Sequence, residues 1–187
     1  MSYYLEMKNI GKMLEDRGLV ASSHSGNLSV RIEDSMYIKK TGAMLGALTE
    51  ADIVKVDLNN IEDTGYKYAS VEAKGHRAIY LNTDSKAVIH AHTTFAIVES
   101  LIEKEIIPVD IEGKLYLDKI PVIEVKDAVG SVELAERLGE VMQEYPAAIV
   151  KGHGTFAHGS NLIEAFKWIT IVESVSKIKY YYEHAYK

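Results

Sequence analysis

The sequence predicts an α/β fold in which a central mixed sheet is covered by helices on both faces. Three observations carry this reading. Apolar residues recur at helical spacing in some stretches and alternate in others; two of the strand-like runs form a hairpin; and single helical segments separate the rest. Parallel strand–helix–strand winding throughout would leave no place for the hairpin. With 187 residues and no linker-like low-complexity run, the chain has the size of one ordinary domain.

Taken in order, Leu5, Ile10, Met13 and Leu14 lie at roughly helical spacing, and Gly18 is placed to end that first helix. Leu28–Ile32 and Met36–Ile38, on either side of Glu33-Asp34-Ser35, read as the hairpin. Ile53–Leu58 is a further strand, stopped by Asn59-Asn60. Ser70 can cap a helix from Val71 to about Leu81, with Glu72 in its first turn. Ala87-Val88-Ile89 is short, apolar and partly β-branched, and it follows the turn-like Asn82-Thr83-Asp84-Ser85. It predicts a strand over Lys86–His92. Thr93 or Thr94 can cap the next helix, through about Leu101, and Pro108–Val125 reads as short strands with a turn near Glu112-Gly113. Helices at Ser131–Glu144 and Leu162–Tyr182 flank a strand at Ala147–Val150, and no internal repeat is visible.

An apolar fraction of 47% and a charged fraction of 26% are those of a globular protein rather than a disordered or membrane one. No segment approaches the apolar length needed to cross a bilayer, so no membrane partner is expected. Met1–Glu6 lacks the basic-then-apolar build of a secretion signal, which predicts a cytoplasmic location. The net charge of −6 disfavours nucleic acid, although a local basic pocket can bind phosphate whatever the total. Zero cysteines exclude disulfides and thiolate metal ligands.

The chemistry-bearing residues begin with His90-Ala91-His92. In a strand both imidazoles project from one face, and His153, in Gly152-His153-Gly154, can complete a set of three. Three neutral imidazoles suit zinc and leave a coordination position open. Three unrelated, hydrogen-bonded histidines are the plain alternative, and spacing alone does not separate the two. Ser25-Gly26-Asn27 and Thr41-Gly42 are small polar turns whose backbone N–H groups can face an anion, and Ser70 adds a hydroxyl at a helix start. Each alone reads as ordinary turn chemistry; the combination is more persuasive. Glu72 is the general-base candidate, which a helix start or a nearby metal would keep ionised, against the alternative of a simple helix-dipole glutamate. His76, four residues on, shares that helical face and reads as structural. Met36, Met44 and Trp168 read as core, His24 and His158 as exposed loop histidines, and Tyr180, Tyr181, Tyr182 and Tyr186 as packing or interface residues.

In this order, Ser25-Gly26-Asn27, Thr41-Gly42, Ala69-Ser70-Val71-Glu72, His90-Ala91-His92 and Lys151-Gly152-His153-Gly154 resemble the class II aldolase/adducin family, above all its short fuculose-1-phosphate aldolase-like members. The resemblance runs from about Leu14 to about Tyr180. It implies a single three-layer α/β/α domain with a mixed, mostly antiparallel sheet, assembled as a homotetramer with active sites at subunit boundaries. It implies one Zn2+ or other divalent ion per subunit on His90, His92 and His153, with Glu72 as acid and base. Gly26, Asn27, Thr41, Gly42 and Ser70 would hold a substrate phosphate. Where family aldolases often carry a second serine, this chain has Val71, which leaves a backbone N–H there. The segment that lends a catalytic tyrosine to the neighbouring subunit corresponds loosely to Asp110–Tyr116, offering Tyr116, with the tail tyrosines as rivals.

The activity so implied is reversible cleavage of a ketose 1-phosphate, such as L-fuculose 1-phosphate, to dihydroxyacetone phosphate and a short aldehyde such as lactaldehyde. The partner expected is therefore a small sugar phosphate. Pentulose-5-phosphate 4-epimerases and a methylthioribulose-1-phosphate dehydratase use similar scaffolds and are the nearest alternatives. A non-catalytic, adducin-like interaction domain is the alternative of another class, against which His90, His92, His153 and Glu72 argue.

Overall fold

Helix α1 (Tyr3–Asp16) turns Met7, Ile10, Gly11 and Leu14 inward, while Leu5 and Met13 stay largely exposed, in a computed structural model that describes residues 2–185. The absence of a side chain at Gly11 lets the helix press on a short 3-10 turn at Leu45–Ala47, because a Cβ there would stand 2.3 Å from the Leu45 carbonyl oxygen. Strands β1 (Asn27–Ile32) and β2 (Ser35–Lys39) form the hairpin, with Glu33 in the left-handed region at φ 53°. Then follow β3 (Ile53–Asp57), α2 (Ala73–Asn82), β4 (Ala87–Ala91), α3 (Thr94–Ser100), β5 (Glu105–Ile106) and α4 (Ile111–Tyr116). The chain continues through β6 (Ile120–Ile123), α5 (Val132–Val141), β7 (Ala147–Val150), β8 (Gly154–Gly159) and α6 (Leu162–His184).

Among the described residues the strands form one sheet in the order β3-β2-β1-β4-β8-β7-β6-β5, and every neighbouring pair is antiparallel except β6 with β7. Period-two alternation splits the core into two layers. Leu28, Ile89, Ile149 and Ala157 pack with Ile10, Leu14, Phe166 and Ile169 from α1 and α6; Val88, Ala148 and Phe156 pack with Ile79, Leu134 and Leu138 from α2 and α5. The result is a three-layer α/β/α arrangement. Among the described residues, no helix is long and apolar enough to cross a membrane.

Several local expectations are corrected. Residues 111–116 are a helix rather than a turn, started by Asp110, whose carboxylate accepts from Gly113 N at 2.8 Å. Helix α2 starts at Ala73, two residues later than expected, and Ser70 accepts from Glu72 N at 3.3 Å instead of capping the helix. Neither Thr93 nor Thr94 caps α3: the Glu173 carboxylate, reaching across from α6, accepts from Phe95 N and Ala96 N. Strand β8 carried no clear sequence signal, and His158 lies within it, half-buried, where a loop was expected. Met44 is exposed, whereas Met36 is fully buried and Trp168 is half-buried against the core.

Candidate metal centre and active site

The end of β4 and the turn between β7 and β8 meet at one end of the sheet's central strands. His90 projects to the α2/α5 side and lies flat on its cross-strand neighbour Phe156, with ring centroids 4.2 Å apart and planes inclined by 21°. His92 stands one residue past the strand, its ring centroid 4.9 Å from that of His90. The turn that carries His153 depends on its glycines. Gly152 adopts φ 68°, and a Cβ on Gly154 would meet the Ala91 carbonyl oxygen at 2.5 Å and His90 Cε1 at 3.0 Å. That close approach brings the His153 ring to 4.6 Å from His90 and 5.1 Å from His92. One ring nitrogen of each histidine lies within 4.8 Å of the other two, so a single ion can be shared.

The donor chemistry fits a metal. A carbonyl can only accept, so the 3.2 Å contact between His90 Nδ1 and the Thr155 oxygen places the proton on Nδ1 and leaves Nε2 as a free lone pair. That Nε2 is buried and has no hydrogen-bond partner among the described residues. Burial, reinforced by the neighbouring imidazoles, holds His90 well below the usual histidine range; burial and His153 take His92 down to about 4. Burial lowers His153 as well, so all three imidazoles are neutral near pH 7, as ligation requires.

Glu72 occupies the N-cap position of α2 and is only 2% exposed. Its Oε2 accepts from Gly130 N at 3.4 Å, while Oε1 lies 3.8 Å from His153 Nε2 with no hydrogen-bond partner among the described residues. Because His153 is neutral, that contact is not an ion pair. In the metal-free fold the helix start alone does not hold Glu72 in the ordinary carboxylate range, since burial pushes its carboxyl up to about 7.

A cavity of about 390 Å³ unites Glu72 and the three histidines with Gly26, Asn27, Thr41, Gly42, Ser70 and Val71. Gly26 and Gly42 hold φ 72° and 78°, which aims their turns at it. His24 also lines the cavity and is exposed. His76 is fully buried and bonded to Ser29 Oγ at 2.7 Å. Tyr116 is not in this cavity: it lines a separate one with Arg17 and Asp110 and stands edge-on to Trp168. Tyr180 packs against Phe95 and Tyr181, Tyr182 is exposed, and Tyr186 lies outside the described residues.

Sequence reasoning missed Lys39. It is 2% exposed, lines the same cavity, and donates to the carbonyls of His24 (3.2 Å), Lys40 (3.4 Å) and Ala43 (2.7 Å), so one ammonium braces both small turns. Burial lowers its pKa to about 8. The available signal was its place in the chain, at the end of a strand and just before Thr41-Gly42.

The profile of the Class II Aldolase and Adducin N-terminal domain matches residues 6–180. The chain belongs to the class II aldolase and adducin family. It is 34% identical over 176 residues to an L-fuculose phosphate aldolase of Methanococcus maripaludis, spanning 94% of each chain. It is 32% identical over 186 residues to a methylthioribulose-1-phosphate dehydratase of Persephonella marina, spanning 90% of this chain and 85% of the other. The structure of L-fuculose-1-phosphate aldolase from Thermus thermophilus superposes with a TM-score of 0.90 at 33% identity, covering 97% of this chain and 94% of that one. Class II aldolases are metal-dependent lyases, and the complete histidine cluster beside a buried glutamate places this member with them.

Proposed function

We propose that this chain is a zinc-dependent aldolase that reversibly cleaves a ketose 1-phosphate, such as L-fuculose 1-phosphate, to dihydroxyacetone phosphate and a short aldehyde such as lactaldehyde. The observation that carries this reading is the setting of Glu72: one oxygen rests on the Gly130 N–H, and the other is buried and unpartnered beside the three histidines. The L-fuculose phosphate aldolase names of its relatives support the substrate class.

His90, His92 and His153 would hold the zinc ion, which would supply Lewis-acid polarisation of the substrate's carbonyl and adjoining hydroxyl oxygens. Glu72 returns a proton to the dihydroxyacetone phosphate carbon in cleavage and removes it in synthesis, from a buried position beside the ligand histidines. Gly26, Asn27, Thr41, Gly42, Ser70 and the Val71 N–H hold the phosphate, which fixes the reacting carbons in front of Glu72. The proton exchanged with the aldehyde oxygen is assigned to Tyr116 of a neighbouring subunit in a homotetramer. Support comes from the exposed apolar residues around it, Ile111 at 89% and Leu115 at 78%, which offer a surface for a second subunit.

Incubating the zinc-loaded protein with L-fuculose 1-phosphate and measuring dihydroxyacetone phosphate tests the reading. Release of that fragment is expected. An intact diketo product from methylthioribulose 1-phosphate, or epimerised pentulose phosphate without fragments, would replace it with dehydratase or epimerase activity. A protein with no affinity for divalent metal would be a binding module.

A further inference from the structure

Thr93 and Thr155 are fully buried, and their hydroxyls lie 2.6 Å apart. Their positions in the chain give the pair its interest. Thr93 directly follows His92; Thr155 follows the Gly152-His153-Gly154 turn; and the Thr155 carbonyl is the acceptor that sets the proton on His90 Nδ1. Thr93 also occupies the N-cap position of α3, where a threonine hydroxyl ordinarily accepts from the first backbone N–H groups. Here it makes no cap bond, and Glu173 of α6 takes over that task at Phe95 N and Ala96 N. The hydroxyl is thus released from stabilising its own helix and spent on a bridge between two ligand-bearing segments. Ser100 extends the tie, since its Oγ accepts from Gly152 N at 3.0 Å.

We infer that the Thr93–Thr155 hydroxyl bridge is a positioning device for the metal centre: it sets the spacing of His92 and His153 while the Thr155 main chain orients His90. The inference rests on the histidine trio being a metal site. His92 lies beyond the strand ladder that holds His90, and this bridge restrains the chain at the very next residue. Neither threonine lines the cavity, so their effect passes through the ligands.

Metal-free Thr93→Val, Thr155→Val, the double valine variant and Thr155→Ser can be compared by thermal melting and by zinc affinity, measured in competition with a chromophoric chelator. Each single valine strands one buried hydroxyl, so its melting temperature falls by roughly 2–12 °C, whereas the double variant leaves neither unpaired and regains most of that loss. Zinc affinity is expected to fall about 10–100-fold in the single valine variants and to remain low in the double variant. Thr155→Ser keeps the hydroxyl and should bind zinc as the unchanged protein does. A double valine variant with unchanged zinc affinity overturns the inference and leaves the histidine site standing. So does an affinity that merely follows the melting temperature through the series, because the pair is then structural only. An unchanged protein that binds no zinc removes the site and this inference together.

Discussion

Gly154→Ala tests the convergence of the histidines most directly. The added methyl would stand 2.5 Å from the Ala91 carbonyl oxygen, about 0.9 Å short of the 3.4 Å at which ordinary contact begins. Neither neighbour yields cheaply. Ala91 is backbone at the end of a central strand, and His90 is held by stacking on Phe156 and by its bond to the Thr155 carbonyl. The turn must therefore retreat, carrying His153 away from the other two rings. A misplacement near 1 Å in such a centre costs about 10²-fold in turnover. Overpacking of this kind destabilises by about 1–3 kcal/mol, or roughly 2–12 °C in melting temperature. Zinc titration, a thermal melt and initial rates of cleavage measure all three. Gly18→Ala is the control: it strains a left-handed glycine, at φ 66°, but its Cβ meets nothing within 4 Å, so zinc affinity should hold while stability drops by about 1–2 kcal/mol. A Gly154→Ala protein that binds zinc and turns over like the unchanged one would refute the packing argument.

Glu72→Gln should leave the fold intact and lower exchange of the dihydroxyacetone phosphate carbon-bound proton by about 10²–10⁴-fold, followed by NMR in deuterated buffer; retained exchange removes Glu72 as the base. Lys39→Met strips the donor from the carbonyls of His24, Lys40 and Ala43, partly offset by relief of a buried charge. The expected loss is about 2–4 kcal/mol, read as a lower melting temperature, together with weaker inhibition by inorganic phosphate. An unchanged melt and unchanged inhibition would show that the ammonium braces nothing. Burial takes His76 down to about 3, so as the pH falls below about 6.5 the unfolded chain gains this proton first. To the decline of metal-free stability toward pH 3, His76 should then contribute up to about 1.4 kcal/mol per pH unit, and His90 and His92, also held low, add to it in the same sense. Glu72, raised to about 7 from 4.5, acts in the opposite sense between those values. Denaturant unfolding from pH 7 to 4 should give a flatter profile for His76→Asn, and an identical slope would reject the assignment.

Local spacing made part of this molecule legible. Strand periodicity put His90 and His92 on one side, the two glycine-containing turns announced themselves by composition, α1 followed from its apolar row, and helices were expected close to where α2, α5 and α6 lie. Where the reading failed, local signals were weak or ambiguous. Gly154–Gly159 has a glycine at each end and a histidine within, poor strand propensity that its central place between β4 and β7 overrides. The helix at Ile111–Tyr116 is too short to show a clear period, and its Asp110 cap is the local cue it offers.

Residue order alone supplies the groups: three imidazoles, one well-placed carboxylate and small turns able to face an anion. Tertiary structure decided that they meet. The pairing of β4 with β8 sets His153 against His90, the burial of Glu72 raises its pKa, Lys39 is drawn under both turns, and Thr93 is diverted from its helix to Thr155. The reason is physical: side-chain periodicity is a property of neighbours in the chain, whereas strand pairing and burial depend on surfaces contributed jointly by segments far apart along it.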